Sequence, residues 1–255
     1  MARITAALFV LFTILHFTSS AQVTISNNGD NACIGTFTTI SDIVITETAP
    51  GDISLPGPGG TIVFTSSMTF NSPGSATVVV TGGGGSLTGG TVTVSNNSFT
   101  VTLNQSNTTH EGEINTITIS GIEVDPPGGG GWTINESGGT ATINGLSSSG
   151  QMVATAYGGV PPTGGNDAVT VCSNNGPSYD LQVNVNSFGN GVGSNFSWTS
   201  SAGPNISGET TGSGGFIGDI LTNTGTSPET VTYTVTPTNS TYGCVGPTFE
   251  VVVTV

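Results

Sequence analysis

The stretch "VTYTVT" at residues 231–236 constrains the fold more than any other feature. Branched and aromatic side chains alternate with threonine at a period of two. That period places Val231, Tyr233 and Val235 on one face of a strand and Thr232, Thr234 and Thr236 on the other. The valine–tyrosine face is expected to line a core. Pro237 is expected to end the strand, because it has no N–H to give a ladder. "FEVVVTV" at 249–255 then reads as the returning strand of a final hairpin with residues 239–246 as its loop.

The same texture recurs upstream. "IVITE" (43–47), "TIVFT" (61–65), "ATVVVT" (76–81), "TVTVS" (91–95), "FTVTLN" (99–104), "INTITIS" (114–120) and "TATI" (140–143) all suit a pleated, half-buried surface. Further strands are expected at 168–172, 179–186, 195–200, 216–221 and 230–236. Turn-forming Gly, Pro and Asn separate these runs, which favours sandwiches over βαβ units. "SLPGPGG", "VTGGGGSLTGG" and "DPPGGGGW" read as turns or connectors. The second has no Lys and no helix after it, so it is not a phosphate loop. Alternation lapses across 145–166. The fold class is therefore all-β, with two β-sandwich modules. The expected segments are 1–21, then 22–165 with a Gly/Pro-rich linker from about 145, then 166–255.

Charge excludes several functions. The 255 residues contain one Lys or Arg, namely Arg3, against 15 Asp and Glu. Nucleic acid is excluded as a partner, because nothing neutralises phosphates. Anionic lipid is disfavoured for the same reason. The N-terminus reads as a signal peptide: Arg3, an apolar run over 6–17, and the small residues Ser19, Ser20 and Ala21 before Gln22. Its removal leaves no Lys or Arg, so ladders, core burial and any disulfide must supply the stability. The expected location is secreted or cell-surface, with no membrane insertion after signal removal.

Export permits disulfides. Of the three cysteines, Cys172 and Cys244 both lie in the second half and are expected to pair, which leaves Cys33 as a small buried hydrophobe.

The second half also resembles a known family. The residues that carry the likeness are Cys172, "SNFSWTSS" around Trp198, "LTNTGT" at 221–226, "VTYTVTPT" at 231–238 and "GC" at 243–244. Together they resemble the PKD-like module, an immunoglobulin-like sandwich of large secreted proteins in gliding, type IX-secreting bacteria. The resemblance spans about 169–255 and implies an immunoglobulin/PKD-like fold there. Where ordinary PKD domains carry a WDFGDG-type turn, this chain has "WTSSAG", so no acid-dependent role is expected of that turn.

Few residues suggest chemistry. Trp132, after four glycines, is the candidate ligand-binding residue, as a stacking face for a sugar. Trp198 is expected in the core. "HEGE" at 110–113 holds the sole histidine outside the signal segment and reads as a solvated loop. There is no GxSxG elbow and no metal-ligand spacing, so no catalytic residue, no metal and no required cofactor are expected. Calcium is the one plausible ion, through Asp30, Asp42, Asp52, Asp167 or Asp219 near turns. The expected function is a non-enzymatic structural or adhesive scaffold, a spacer within a larger extracellular protein. Its partners would be other extracellular modules or surface glycans, with edge strands such as 249–255 open to strand addition. The alternative is a carbohydrate-binding module accessory to an extracellular enzyme.

Overall fold

The structure, a computed structural model, describes residues 23–26, 29–71, 76–82, 87–105, 114–144 and 152–255. The signal-peptide reading and the "HEGE" stretch lie outside these residues.

Strands dominate. In the first half, one sheet orders β1 (Val23–Ser26), β4 (Ile43–Glu47), β11 (Asn115–Ser120) and β8 (Thr77–Gly82). A second orders β2 (Asp30–Cys33), β15 (Met152–Gly159), β13 (Gly130–Gly139), β6 (Gly60–Thr65), β10 (Ser98–Gln105) and β9 (Leu87–Ser95). Smaller ladders join β3 (Thr38–Thr39), β12 (Glu123–Asp125) and β7 (Thr69–Asn71), and β14 (Thr142–Ile143) with β5 (Ile53–Ser54). The alternation read in the sequence is the burial pattern. Ile43 and Ile45 of β4, and Ile117 and Ile119 of β11, share one core with Ile62 and Phe64 of β6 and Phe99, Val101 and Leu103 of β10. The two larger sheets thus face each other across a shared apolar layer, as the all-β reading requires. Phe99 stacks on Phe64 at 4.7 Å and meets Phe70 edge-on at 5.2 Å.

In the second half, one sheet orders β16 (Asp167–Thr170), β24 (Phe249–Thr254), β23 (Thr230–Asn239), β18 (Ser194–Ala202) and β20 (Gly212–Ser213). Two short ladders accompany it: β17 (Tyr179–Asp180) with β21 (Phe216–Ile217), and β19 (Ile206–Ser207) with β22 (Thr222–Asn223). Val231, Tyr233 and Val235 are wholly buried, in a second core with Phe249, Val251, Val253, Phe196 and Trp198. Leu181 and Val185 of a helix, α1 (Leu181–Phe188), belong to the same core.

Several expectations are corrected. The strand expected at 179–186 is confined to Tyr179 and Asp180 of β17, and α1 forms from Leu181 onward. Asp180 caps it by accepting the N–H groups of Gln182 and Val183, and Leu181 and Val185 bury on one face while Val183 is exposed. β23 does not end at Pro237, which pairs with Phe196 of β18. Its carbonyl accepts the Gly246 N–H on the side away from β18, so the missing N–H breaks no bond of the β18 ladder. The glycines at 89 and 90 lie within β9, not in a turn. A Cβ at Gly89 would come 2.2 Å from the Val78 carbonyl oxygen, and one at Gly90 would come 2.4 Å from that of Thr102. The lapse after 145 conceals β15, which sits between β13 and β2 and buries Ala154 and Ala156. Finally, β24 is not an edge strand: it lies between β23 and β16, pairing with β16 in parallel.

Candidate functional site

The junction between the two cores is the most elaborately built part of the molecule. β2 runs parallel to β15, and the register ends with Cys33 opposite Gly159. The Ile34 N–H donates to the Gly159 carbonyl at 2.9 Å. From Cys33 a disulfide crosses to Cys244, in the loop between β23 and β24, with Cα atoms 5.5 Å apart. The expected Cys172–Cys244 bridge is therefore corrected. Cys244 pairs with Cys33, and Cys172 is a free, exposed thiol. The parallel pairing of β2 with β15 delivers Cys33 to the loop after β23, a meeting of residues 211 apart in sequence.

Gly159 is required where it stands. A Cβ there would fall 2.6 Å from both the Cys244 sulfur and the Tyr242 Cβ, wedging the clamp open. The connector that follows is held by three asparagines. Asn239 ends β23 and is buried; its Oδ1 accepts the N–H groups of Thr241 and Tyr242, and its Nδ2 donates to the Val160 carbonyl at 2.9 Å. Asn190 donates to the Pro161 carbonyl and accepts the Thr163 N–H. Asn184 of α1 exchanges two hydrogen bonds with the Gly165 backbone, at 3.0 and 2.8 Å. Asn184 also donates to the Tyr179 hydroxyl, which donates to Asp167 at 2.6 Å. Burial, with Asp167 alongside, pushes the Tyr179 phenol up to about 12, against the opposing pull of Asn184. The connector is thus fixed by directed hydrogen bonds along much of its length.

The other expected site residues lie elsewhere. Trp132 on β13 is half-buried; its indole N–H donates to the Gly128 carbonyl at 2.9 Å and its ring packs on the first core. Tyr157 pairs with Gly131 rather than with Trp132, so it stands on the opposite face of the sheet and the two rings form no common platform. Trp198 is a core residue, as expected, with its N–H given to the Thr210 carbonyl. Of the aspartates considered for calcium, Asp30 accepts from Ser41, and Asp219 accepts from Thr210 and from Tyr233. Burial, with Asp219 beside it, raises the Tyr233 phenol. Among the described residues, no three His, Cys, Asp or Glu side chains group as metal ligands. No described helix is long and apolar enough to cross a membrane.

Residues 169–255 match the PKD-like domain family. That match covers the second core and less than half of the chain. Solved structures show only a weak likeness. A cohesin module from a Clostridium perfringens family 33 glycoside hydrolase is 13% identical, with 56% of this chain and 100% of that one covered and a TM-score of 0.26. The Enterococcus faecalis MSCRAMM ACE, described as binding its ligands by a collagen hug, is 12% identical over 92% of this chain and 95% of that one, with a TM-score of 0.28. The Yersinia pseudotuberculosis adhesin InvE is 13% identical over 91% and 58%, with a TM-score of 0.24. No curated protein is significantly similar to the chain.

Proposed function

We propose that this chain is a non-catalytic, load-bearing spacer of a secreted or cell-surface protein, an adhesive scaffold that holds a binding region away from the cell. One observation carries the reading: a covalent bridge joins the first core to the second across 211 residues. A pull on the two ends reaches Cys33 and Cys244 and passes through the S–S bond. The residues between them are shielded from extension, and the connector cannot swing freely. The disulfide suits an oxidising compartment, and the PKD-like match supports an extracellular module. Export by the type IX route of gliding bacteria, and pairing with other extracellular modules or surface glycans, are parts of the same proposal.

The test is adhesion under shear by cells that carry the protein. Surface labelling of intact cells is expected, and attachment should weaken under flow, more than at rest, when Cys33 and Cys244 are both replaced by alanine. Retention of the protein inside the cell, or unchanged attachment under flow after deletion of residues 22–255, would overturn the proposal.

A further inference from the structure

Two carboxylates are buried at one end of the first core, and no Lys, Arg or His among the described residues faces them. Glu47 closes β4 and is 2% exposed; Asp52, in the turn before β5, is 0% exposed. The chain's single Lys or Arg is Arg3, outside the described residues. A buried carboxylate without a compensating charge is costly, so how this pair is neutralised is a structural question.

Hydrogen bonds answer part of it. Glu47 accepts the Ile53 N–H through Oε1 at 2.7 Å. Its Oε2 accepts both the backbone N–H and the side-chain amide of Asn115, at 2.7 and 2.8 Å. Asp52 accepts through Oδ2 from the Thr48 N–H and hydroxyl and from the Ala49 N–H. Two buried oxygens of this cluster are left with no hydrogen-bond partner: Oδ1 of Asp52 and Oδ1 of Asn115. Asn115, at 0% exposure, is anchored on Glu47 by two donors. Asp52 is tied to the same carboxylate through the peptide nitrogen that follows it. Both orphan acceptors therefore belong to side chains flanking Glu47. A water molecule would supply protons to such oxygens and leave the charge in place. A cation satisfies both needs.

We propose that Glu47, Asp52 and Asn115 form a calcium site. Calcium is bound by carboxylates and amide carbonyls together, and about 6–8 oxygens, water included, make up its shell. Magnesium sheds its water reluctantly and needs a stricter octahedron, so it should bind this mixed set more weakly. The ion would tie β4, the turn before β5 and β11 together. Only Asp52 of these three ligands was among the aspartates considered from the sequence.

The experiment uses the full chain, stripped of metal with a chelator and then titrated with calcium chloride or magnesium chloride. Calorimetry should show one calcium per chain. Calcium 100-fold above Kd should raise the melting temperature by roughly 5–10 °C, and magnesium at the same concentration should raise it less. Asp52→Asn should abolish the calcium-dependent rise, whereas Asp219→Asn should leave it intact. Should Asp52→Asn fail to fold, hydrogen exchange on the unaltered protein decides. Calcium should slow exchange at residues 47–53 and 115–117. No heat of binding, a shift that survives Asp52→Asn, or protection confined to other residues would overturn the proposal.

Discussion

Replacing Cys33 and Cys244 with alanine should change both the stability and the extensibility of this protein, by amounts that follow from the bridge. Alanine suits the purpose better than serine: Cys244 is wholly buried, and a hydroxyl there would need a partner. In the loop-entropy model, a link between residues 211 apart stabilises the fold by about 5 kcal/mol, and removing a native disulfide typically costs about 2–5 kcal/mol. For a chain of this size that lowers the melting temperature by on the order of 10 °C. The mechanical change is larger. Held by its ends, the oxidised chain cannot lengthen between the cysteines. Opening the bridge frees 211 residues, which at ~3.5 Å each extend by roughly 700 Å. Single-molecule stretching should show that extra length in the double variant or after reductant, and not in the oxidised protein. Calorimetry on the same samples gives the stability change. An oxidised chain that releases the full length, or a double variant as stable as its parent, would refute the load-path argument.

Trp198→Ala should destabilise the protein by about 3–5 kcal/mol, since the ring is only 7% exposed and its N–H is bonded to Thr210; urea unfolding measures this. The Tyr179 phenol, held up to about 12 in the fold, ionises near 10 when unfolded. Its contribution to stability is complete below pH 10 and is lost as pH rises from 10 to 12. Tyr179→Phe should flatten part of that decline in alkaline melting curves. Burial pushes the Glu136 carboxyl up, against the Gly138 N–H that favours its ionised form. A raised acid favours the fold at low pH and costs stability once ionised, so Glu136→Gln should melt higher than its parent at pH 7, an advantage that disappears toward pH 4. The melting temperature across that range decides.

The sequence displayed the strands whose apolar residues are branched. β4, β6, β10, β11, β23 and β24 all follow a period of two because each has one face on a core. It concealed strands built from small residues. β15 is "MVATAYGG", and its buried positions Ala154 and Ala156 carry small side chains, so no hydrophobic rhythm betrays it. β9 carries Gly89 and Gly90 in its first half because the Val78 and Thr102 carbonyls stand against them. α1 was hidden by Val183 and Val185, two apart as in a strand, although Val183 is exposed and the helix is specified by the Asp180 cap. The junction was least legible. Proximity along the chain favours Cys172 for Cys244, and only the β2–β15 pairing, a non-local contact, delivers Cys33 instead. Glu47 and Asn115 gave no sign because their meeting likewise depends on β4 pairing with β11.

The clamp between the two cores is tested most directly by disulfide mapping. Protein recovered from outside the cell would be blocked at free thiols, digested without reduction and analysed by mass spectrometry. A peptide containing Cys33 linked to one containing Cys244, with Cys172 carrying the blocking group, is the predicted result. A Cys172–Cys244 linkage, or Cys33 found blocked as a free thiol, would contradict it.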